Sequence, residues 1–121
     1  MSTSASNPSA TSHVTTHVLD TGSGKPAAGV AVTLEKLDGE RWARIAAGAT
    51  DDDGRVKALG PERLGSGTYR LGFDTGTYYA AAGTETFFPE VTLTFAVSEA
   101  QPHYHVPLLL SPFAYSTYRG S

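Results

Sequence analysis

Short runs of alternating apolar and polar residues are the feature that most restricts the fold of this chain. In the clearest run, residues 91–97, the apolar Val91, Leu93, Phe95 and Val97 alternate with smaller residues. Alternation of this kind places two sets of side chains on opposite faces of a β-strand, whereas a helix repeats every 3.6 residues. Glycine, proline and aspartate, which form turns, separate the runs. The pattern predicts an all-β protein.

The runs predict seven or eight strands and one short helix. Strands are predicted at residues 13–20, 30–37, 42–49, 68–74, 91–97, 103–110 and 114–119, with a further short strand at 55–59. Two tyrosines and three alanines in residues 77–83 favour a short helix, with Thr77 as the N-cap and Gly83 as the end. Strands this short and numerous bury their apolar faces in two packed sheets, so the sequence predicts a two-sheet β-sandwich.

The length and composition predict one domain. A chain of 121 residues has room for a single core. Residues 1–12 are polar and are predicted to be a disordered leader before a domain at residues 13–121. The leader lacks the features of a signal peptide, no run is long enough to span a membrane, and cysteine is absent, so the predicted location is the cytoplasm. A net charge of -3 argues against a nucleic-acid partner.

The four histidines lie near the two ends of the chain. His13 and His17 fall in the first predicted strand, and His103 and His105 fall in a late one. If these two strands pair, up to four imidazoles share one surface, where they can exchange protons near neutral pH. Two alternatives stay open. The histidines are exposed or buried without a chemical role, or they bind zinc, because a His-x-His pair with a distant histidine is a known ligand pattern.

Arg55 follows a tight turn at the start of a predicted strand. A guanidinium there could hold a planar, oxygen-rich anion through two parallel hydrogen bonds. The alternative is an ion pair with the aspartates at 51–53, and the residue type alone favours that pairing. These aspartates lack the twelve-residue loop of a calcium site and indicate a solvated turn. Aromatic residues at alternate positions near the C-terminal end indicate a docked tail that suits a polar pocket.

Several segments occur along this chain in the same order as in a known protein family. They are Thr16-His17-Val18-Leu19-Asp20 with Gly24-Lys25-Pro26-Ala27, Asp53-Gly54-Arg55, Phe88-Pro89-Glu90-Val91, the run from His103 to Pro112, and Tyr118-Arg119-Gly120-Ser121. The chain resembles the 5-hydroxyisourate hydrolases of the transthyretin-related family from about His13 to Ser121. The histidine motif and the terminal tetrapeptide are the most specific parts of the resemblance.

The resemblance implies a fold, an assembly and a reaction. The fold is the transthyretin-like sandwich of two four-stranded sheets with a short helix, assembled as a homotetramer with active sites between dimers. The reaction is hydrolysis of 5-hydroxyisourate to 2-oxo-4-hydroxy-4-carboxy-5-ureidoimidazoline in purine (urate) degradation, with no cofactor and no metal. By matching position, the catalytic residues would be His17, Arg55, His105 and Ser121, and the substrate-binding residues His103, Tyr118, Arg119 and Gly120.

Three other functions remain as alternatives. A transthyretin-like carrier of a small ligand would have a channel with an apolar lining. A structural sandwich module of a larger surface protein would need neither the terminal tetrapeptide nor a tetramer. A metal-dependent hydrolase would use the same histidines as ligands. The combination of histidines, an arginine and a terminal serine favours a hydrolase over the carrier.

Overall fold

Two four-stranded sheets face each other across an apolar core. The structure is a computed structural model, and it describes residues 11–121. One sheet has the order β2-β1-β7-β8 and the other β4-β3-β5-β6. The elements are β1 (Val14–Asp20), β2 (Lys25–Pro26), β3 (Ala31–Asp38), β4 (Arg41–Ala49), β5 (Gly67–Phe73), α1 (Thr75–Ala81), β6 (Val91–Val97), β7 (Tyr104–Ser111) and β8 (Ala114–Thr117). The predicted sandwich with its short helix is confirmed.

Alternating burial along the strands separates the core from the outer faces. In β1, Val14, Thr16 and Val18 are buried, whereas Thr15 and His17 between them are only half-buried. Apolar residues from both sheets form one cluster, and their removal from water is the main favourable term in folding. Thr15 and His17 therefore lie on the outer face of the β2-β1-β7-β8 sheet.

The first strand pairs in parallel with β7, near the other end of the chain. In this register Thr15 lies opposite His105, and His17 lies opposite Pro107. The hydroxyl of the buried Thr16 donates a 2.7 Å hydrogen bond to the carbonyl of Val106, so this polar group is satisfied in the interior. The strand pairing on which the histidine prediction depended is therefore present.

The helix begins earlier than predicted. It runs from Thr75 to Ala81, and its N-cap is Asp74 rather than Thr77. The carboxylate of Asp74 accepts hydrogen bonds from the Thr77 backbone N–H at 3.1 Å and from its hydroxyl at 2.8 Å. The prediction of Thr77 as N-cap was wrong because an aspartate three residues upstream takes that role. Gly83 follows the C-cap with a φ of 68°, which suits the predicted end.

The predicted short strand at residues 55–59 is absent. Only an isolated antiparallel bridge between Arg55 and His17 forms there. Val56 and Leu59 are both buried, and their spacing of three does not fit the two-residue period of a strand. The two residues of β2 pair with Leu19 and Asp20 of β1 instead.

Most of the predicted leader lies outside the described residues. Of its last two residues, Thr11 is exposed and Ser12 is buried. The Ser12 hydroxyl accepts a 3.0 Å hydrogen bond from the backbone N–H of Leu59. Across residues 11–121, no helix has the length and apolar character that crossing a membrane requires.

Candidate active site

An open cleft on the outer face of the β2-β1-β7-β8 sheet contains four of the eight predicted site residues. Its volume is about 430 Å³. The residues that line it are Thr11, Thr15, Thr16, Arg55, Val56, His103, His105 and Ser121. Parallel pairing of β1 with β7 brings Thr15 to His105 across 90 positions of sequence. Both ends of the chain therefore supply this cleft.

A threonine that the sequence prediction missed connects the two late histidines. The Thr15 hydroxyl oxygen lies 2.9 Å from Nδ1 of His105 and 3.0 Å from Nε2 of His103. Threonine is common in strands, so its type alone gives no functional signal. Its position could have been found only from the register, which places it directly opposite His105 on the face that also carries His17.

A tight turn places Arg55 beside His17. The two residues form an isolated bridge, and Val18 N–H donates a 2.8 Å hydrogen bond to the carbonyl of Gly54. Gly54 has a φ of 78°, and a Cβ at this position would lie 2.4 Å from the Val18 carbonyl oxygen. Only glycine fits this approach, so the Asp53-Gly54-Arg55 sequence can press against β1.

Hydrogen bonds within the turn hold the backbone of Arg55 and leave its guanidinium free of carboxylates. Oδ1 of Asp51 accepts from the backbone N–H of Arg55 at 3.1 Å and of Asp53 at 2.9 Å. The hydrogen bond from Arg55 is the main reason that the pKa of Asp51 is lowered. Within residues 11–121 the one ion pair closer than 4.0 Å joins Arg70 to Glu35, so the predicted alternative of an aspartate pair for Arg55 was wrong.

The cleft disfavours the charged form of His105. Burial is the largest cause that lowers the pKa of His105 below 6.5, followed by the positive charge of Arg55 and then by His103 and His17. The lowered pKa favours the neutral imidazole, which is the form that accepts a proton.

The terminal segment packs against the back of His105. Gly120 N–H donates a 2.7 Å hydrogen bond to the His105 carbonyl, and the two residues form a bridge. A Cβ on Gly120 would lie 2.6 Å from Cδ2 of the His105 ring, so a larger residue would push the ring. Because Gly120 is held against His105, the next residue, Ser121, lies in the lining of the cleft.

Two predicted substrate-binding residues face a different cavity of the same chain. Tyr118 and Arg119 line a space of about 290 Å³ with residues of β6 and with Tyr104. The guanidinium carbon of Arg119 lies 4.9 Å from the centre of the Tyr104 ring. A single chain therefore brings Arg55, His103, His105 and Ser121 together in one cleft, and it directs Tyr118 and Arg119 elsewhere. His17 is not part of the cleft lining but forms a backbone bridge with Arg55, and Gly120 packs behind the His105 ring.

His13 does not join the other imidazoles. Because β1 begins at Val14, the His13 ring turns into the interior, 5.6 Å from the Tyr104 ring. Its Nδ1 accepts a 2.9 Å hydrogen bond from Leu64 N–H, which leaves the proton on Nε2 to bond the Gln101 carbonyl at 2.6 Å. The expectation of up to four imidazoles on one surface was therefore wrong for His13.

The zinc alternative rested on the spacing of the histidines. In the structure, Nδ1 of His105 and Nε2 of His103 both point at the Thr15 hydroxyl. Within the described part of the chain, no three histidine, aspartate or glutamate side chains are grouped as a metal site.

Comparison with known sequences identifies the family of this chain. The model of the HIUase/Transthyretin family matches residues 14–120. The 5-hydroxyisourate hydrolase of Salmonella typhimurium is 51% identical over 106 residues, which cover 87% of this chain and 78% of that protein. The chain belongs to the HIUase/transthyretin family, as the histidine motif and the terminal tetrapeptide predicted.

Solved structures confirm the predicted transthyretin-like fold. The 5-hydroxyisourate hydrolase of Klebsiella pneumoniae superposes with a TM-score of 0.79 at 36% identity, covering 89% of this chain and 98% of that one. Sea bream transthyretin in complex with thyroxine gives a TM-score of 0.83 at 32% identity, covering 89% and 94%. A hydrolase and a hormone-binding protein thus share this fold, so the choice between them depends on the site.

Proposed function

We propose that this chain hydrolyses 5-hydroxyisourate to 2-oxo-4-hydroxy-4-carboxy-5-ureidoimidazoline. The observation that carries the proposal is the shared cleft of His105 and Arg55, a neutral base beside a cation without a carboxylate partner. The 51% identity to a hydrolase of that name supports the same reaction. We propose no cofactor and no metal for it.

The proposed chemistry adds one water across a carbon–nitrogen bond of the substrate ring. Nε2 of His105, assisted by His17, takes a proton from the water as its oxygen bonds to a ring carbonyl carbon. The bond from that carbon to the adjacent ring nitrogen then breaks, and the nitrogen receives the proton from His105. The products of the broken bond are a ureido nitrogen and a carboxylic acid, which releases its proton to solvent and becomes a carboxylate. Ser121 at the cleft wall positions the water in this scheme.

Arg55 supplies charge in the proposed mechanism. Attack on the carbonyl places a negative charge on its oxygen, and a fixed guanidinium stabilises that oxyanion while it orients the flat ring. Two hydrogen bonds hold the arginine in place without using its side chain: Arg55 N–H donates to Oδ1 of Asp51, and Asp51 N–H donates to the Arg55 carbonyl. The same positive charge also favours the neutral form of His105 before attack.

We propose a homotetramer with active sites between dimers. β6 and β8 are the edge strands on one side of the sandwich, and exposed edges are surfaces for pairing with another copy. Phe87, Phe113 and Tyr118 are 70%, 62% and 57% exposed, which is unusual for large side chains of this kind. In such an assembly, His103 and Gly120 contact the substrate from one chain, and Tyr118 and Arg119 contribute at a neighbour's cleft. Sedimentation velocity tests the assembly, because a monomer would contradict it.

The second candidate is a small-ligand carrier, which the likeness to sea bream transthyretin with thyroxine favours. The cleft argues against it because threonines, histidines, Arg55 and Ser121 dominate its lining, whereas carrier channels are mainly apolar. Titration with thyroxine distinguishes the two: the carrier binds it tightly and leaves 5-hydroxyisourate unchanged.

The substrate implies a cellular setting. We propose a role in purine (urate) degradation in the cytoplasm, carried out by one domain at residues 13–121. Neither a nucleic acid nor a membrane is a proposed partner.

One assay tests the reaction directly. Freshly made 5-hydroxyisourate decays spontaneously, and the decay is followed by absorbance with and without the protein. We expect a large acceleration that is lost when residues 118–121 are deleted, provided that the deleted protein remains folded. If the intact protein leaves the decay unchanged, the proposed activity is wrong.

A further inference from the structure

The Thr15 hydroxyl holds a single proton between two imidazole nitrogens. Nδ1 of His105 lies at 2.9 Å and Nε2 of His103 at 3.0 Å, both within hydrogen-bonding range. A hydroxyl donates one hydrogen bond and accepts others, so at most one of these nitrogens receives the Thr15 proton. For both contacts to be hydrogen bonds, the other nitrogen must carry a proton and donate to Thr15. The protonation of the two histidines is therefore linked.

Two arrangements satisfy this condition. In one, Thr15 donates to His105, so the proton of neutral His105 sits on Nε2 and that nitrogen cannot act as a base. In the other, Nδ1–H of His105 donates to Thr15, which donates in turn to Nε2 of His103. Only the second arrangement leaves Nε2 of His105 with a free electron pair. Among the described residues, no group forms a hydrogen bond with that nitrogen.

We propose that Thr15 is a positioning residue that keeps Nε2 of His105 unprotonated before attack and carries a proton between His105 and His103 during it. The inference rests on the proposed hydrolysis and deepens it, since it assigns a joint function to three side chains. His103 becomes the second proton site of the reaction instead of a residue that only contacts the substrate.

The proton movements balance in each direction. When Nε2 of His105 takes a proton from water, the Nδ1 proton passes to the Thr15 oxygen as the Thr15 proton passes to Nε2 of His103. His105 is then neutral with its proton on Nε2, and His103 is an imidazolium. The reverse passage returns a proton to Nδ1 of His105 as its Nε2 proton moves to the leaving nitrogen. No proton is gained or lost by the three side chains over the cycle.

The surroundings of His105 disfavour a positive charge on its ring, and the proposed transfer moves that charge to His103. Partial burial lowers the pKa of His105 most, the positive charge of Arg55 lowers it further, and His103 and His17 act in the same direction. An imidazolium at His105 would therefore be costly while the intermediate exists. Moving the positive charge to His103 takes it away from His105 but keeps it at the cleft, which His103 also lines.

Three variants separate the hydroxyl from the shape of the side chain. Thr15→Val keeps the branched side chain and removes the hydroxyl, and Thr15→Ser keeps the hydroxyl. We expect Thr15→Val to lower kcat about tenfold with KM nearly unchanged, as a share of the hundredfold or greater effect of a general base. Thr15→Ser should restore most of kcat. Thr21→Val is the matched control, because its hydroxyl also bonds across to β7, at the Leu110 carbonyl, far from the histidines.

Two measurements report the proton positions directly. Nitrogen-15 spectra of histidine-labelled wild-type protein should show neutral His105 protonated on Nδ1 and unprotonated on Nε2. In Thr15→Val, the tautomers of both His105 and His103 should change. The dependence of kcat on the fraction of deuterium in the water should be curved for the wild type, because several protons move together, and closer to linear for Thr15→Val.

The outcomes distinguish this inference from the proposed function. If wild-type protein does not accelerate decay of 5-hydroxyisourate, the hydrolase proposal fails, and the relay fails with it. If the wild type is active but Thr15→Val has wild-type kcat, or His105 carries its proton on Nε2 in the labelled wild type, only the inference about Thr15 is wrong. The spectrum of the wild type gives this answer even if Thr15→Val does not fold.

Discussion

His13 and His105 occupy the same end of the β1–β7 pair, yet their surroundings give them different functions. Both nitrogens of His13 bond to backbone groups, at Leu64 and Gln101, and its side chain is buried. His105 has one nitrogen on the Thr15 hydroxyl and opens into a cleft with Arg55. The contrast teaches that sequence spacing alone does not assign a histidine: the partners of its two ring nitrogens show whether both are occupied within the fold or one is left open to the cleft.

Replacing His105 tests the reactive half of the comparison. His105→Asn removes the proposed base, and we expect kcat to fall about a hundredfold or more. The oligomeric state and urea unfolding midpoint should remain close to the wild type, since the ring is only half-buried. An unchanged kcat in the folded variant would remove His105 from the mechanism.

Moving the His105 ring without removing it should have a smaller effect. Gly120→Ala places a Cβ 2.6 Å from Cδ2 of the His105 ring, which is too close, so the ring must shift. We expect kcat to fall about tenfold, because small displacements of reacting groups are costly. The matched control is Gly65→Ala, whose Cβ would meet only the mobile end of Lys36 at 3.4 Å. Equal kcat in both variants would show that the contact does not position His105.

Replacing His13 should affect stability alone. His13→Leu leaves the Leu64 N–H and the Gln101 carbonyl without their partner. The Leu64 N–H is buried, so losing its partner costs about 1–3 kcal/mol, whereas water can replace the partner of the carbonyl of the exposed Gln101. We therefore expect a lower urea midpoint and a kcat within twofold of the wild type at a temperature where the variant is folded. A selective loss of kcat with unchanged stability would contradict the structural role of His13.

The pH dependence should report His105 and give the smallest effect. The proposed base works when neutral, so kcat/KM should rise with pH and level off, with a midpoint below the usual 6.5 because the pKa of His105 is lowered. Removing the charge in Arg55→Gln should move this pKa upward, measured by NMR titration of the imidazole. A midpoint above 6.5, or a downward shift in Arg55→Gln, would contradict the electrostatic account.

Most of the strands could be predicted from the sequence, because alternation is a local signal. The motifs also contained four residues that the structure brings into one cleft, namely Arg55, His103, His105 and Ser121. Val91 to Val97 is a strand from end to end, as its pattern indicated. Which strands pair with each other is not encoded in a local pattern. The parallel pairing of the first strand with β7 could be stated only as a condition, and the separate cavity that holds Tyr118 and Arg119 had no sequence signal at all.

Single-residue details escaped prediction for physical reasons. His13 looked like a member of the outer face because alternation cannot tell that a strand begins one residue later. Asp74 replaced Thr77 as the helix cap because both residue types favour that position. Thr15 gave no signal because its function depends on a partner 90 positions away.

The parallel pairing of β1 with β7 also affects how the protein is made. The N-terminal segment leaves the ribosome first, but β1 cannot pair with β7 until β7 emerges about 90 residues later. Such long-range closure slows folding, since chain entropy is lost before the contacts form. A nascent chain therefore cannot form the cleft until synthesis is nearly complete. A chain that ends before residue 104 lacks β7, and with it His105 and Ser121 of the cleft lining.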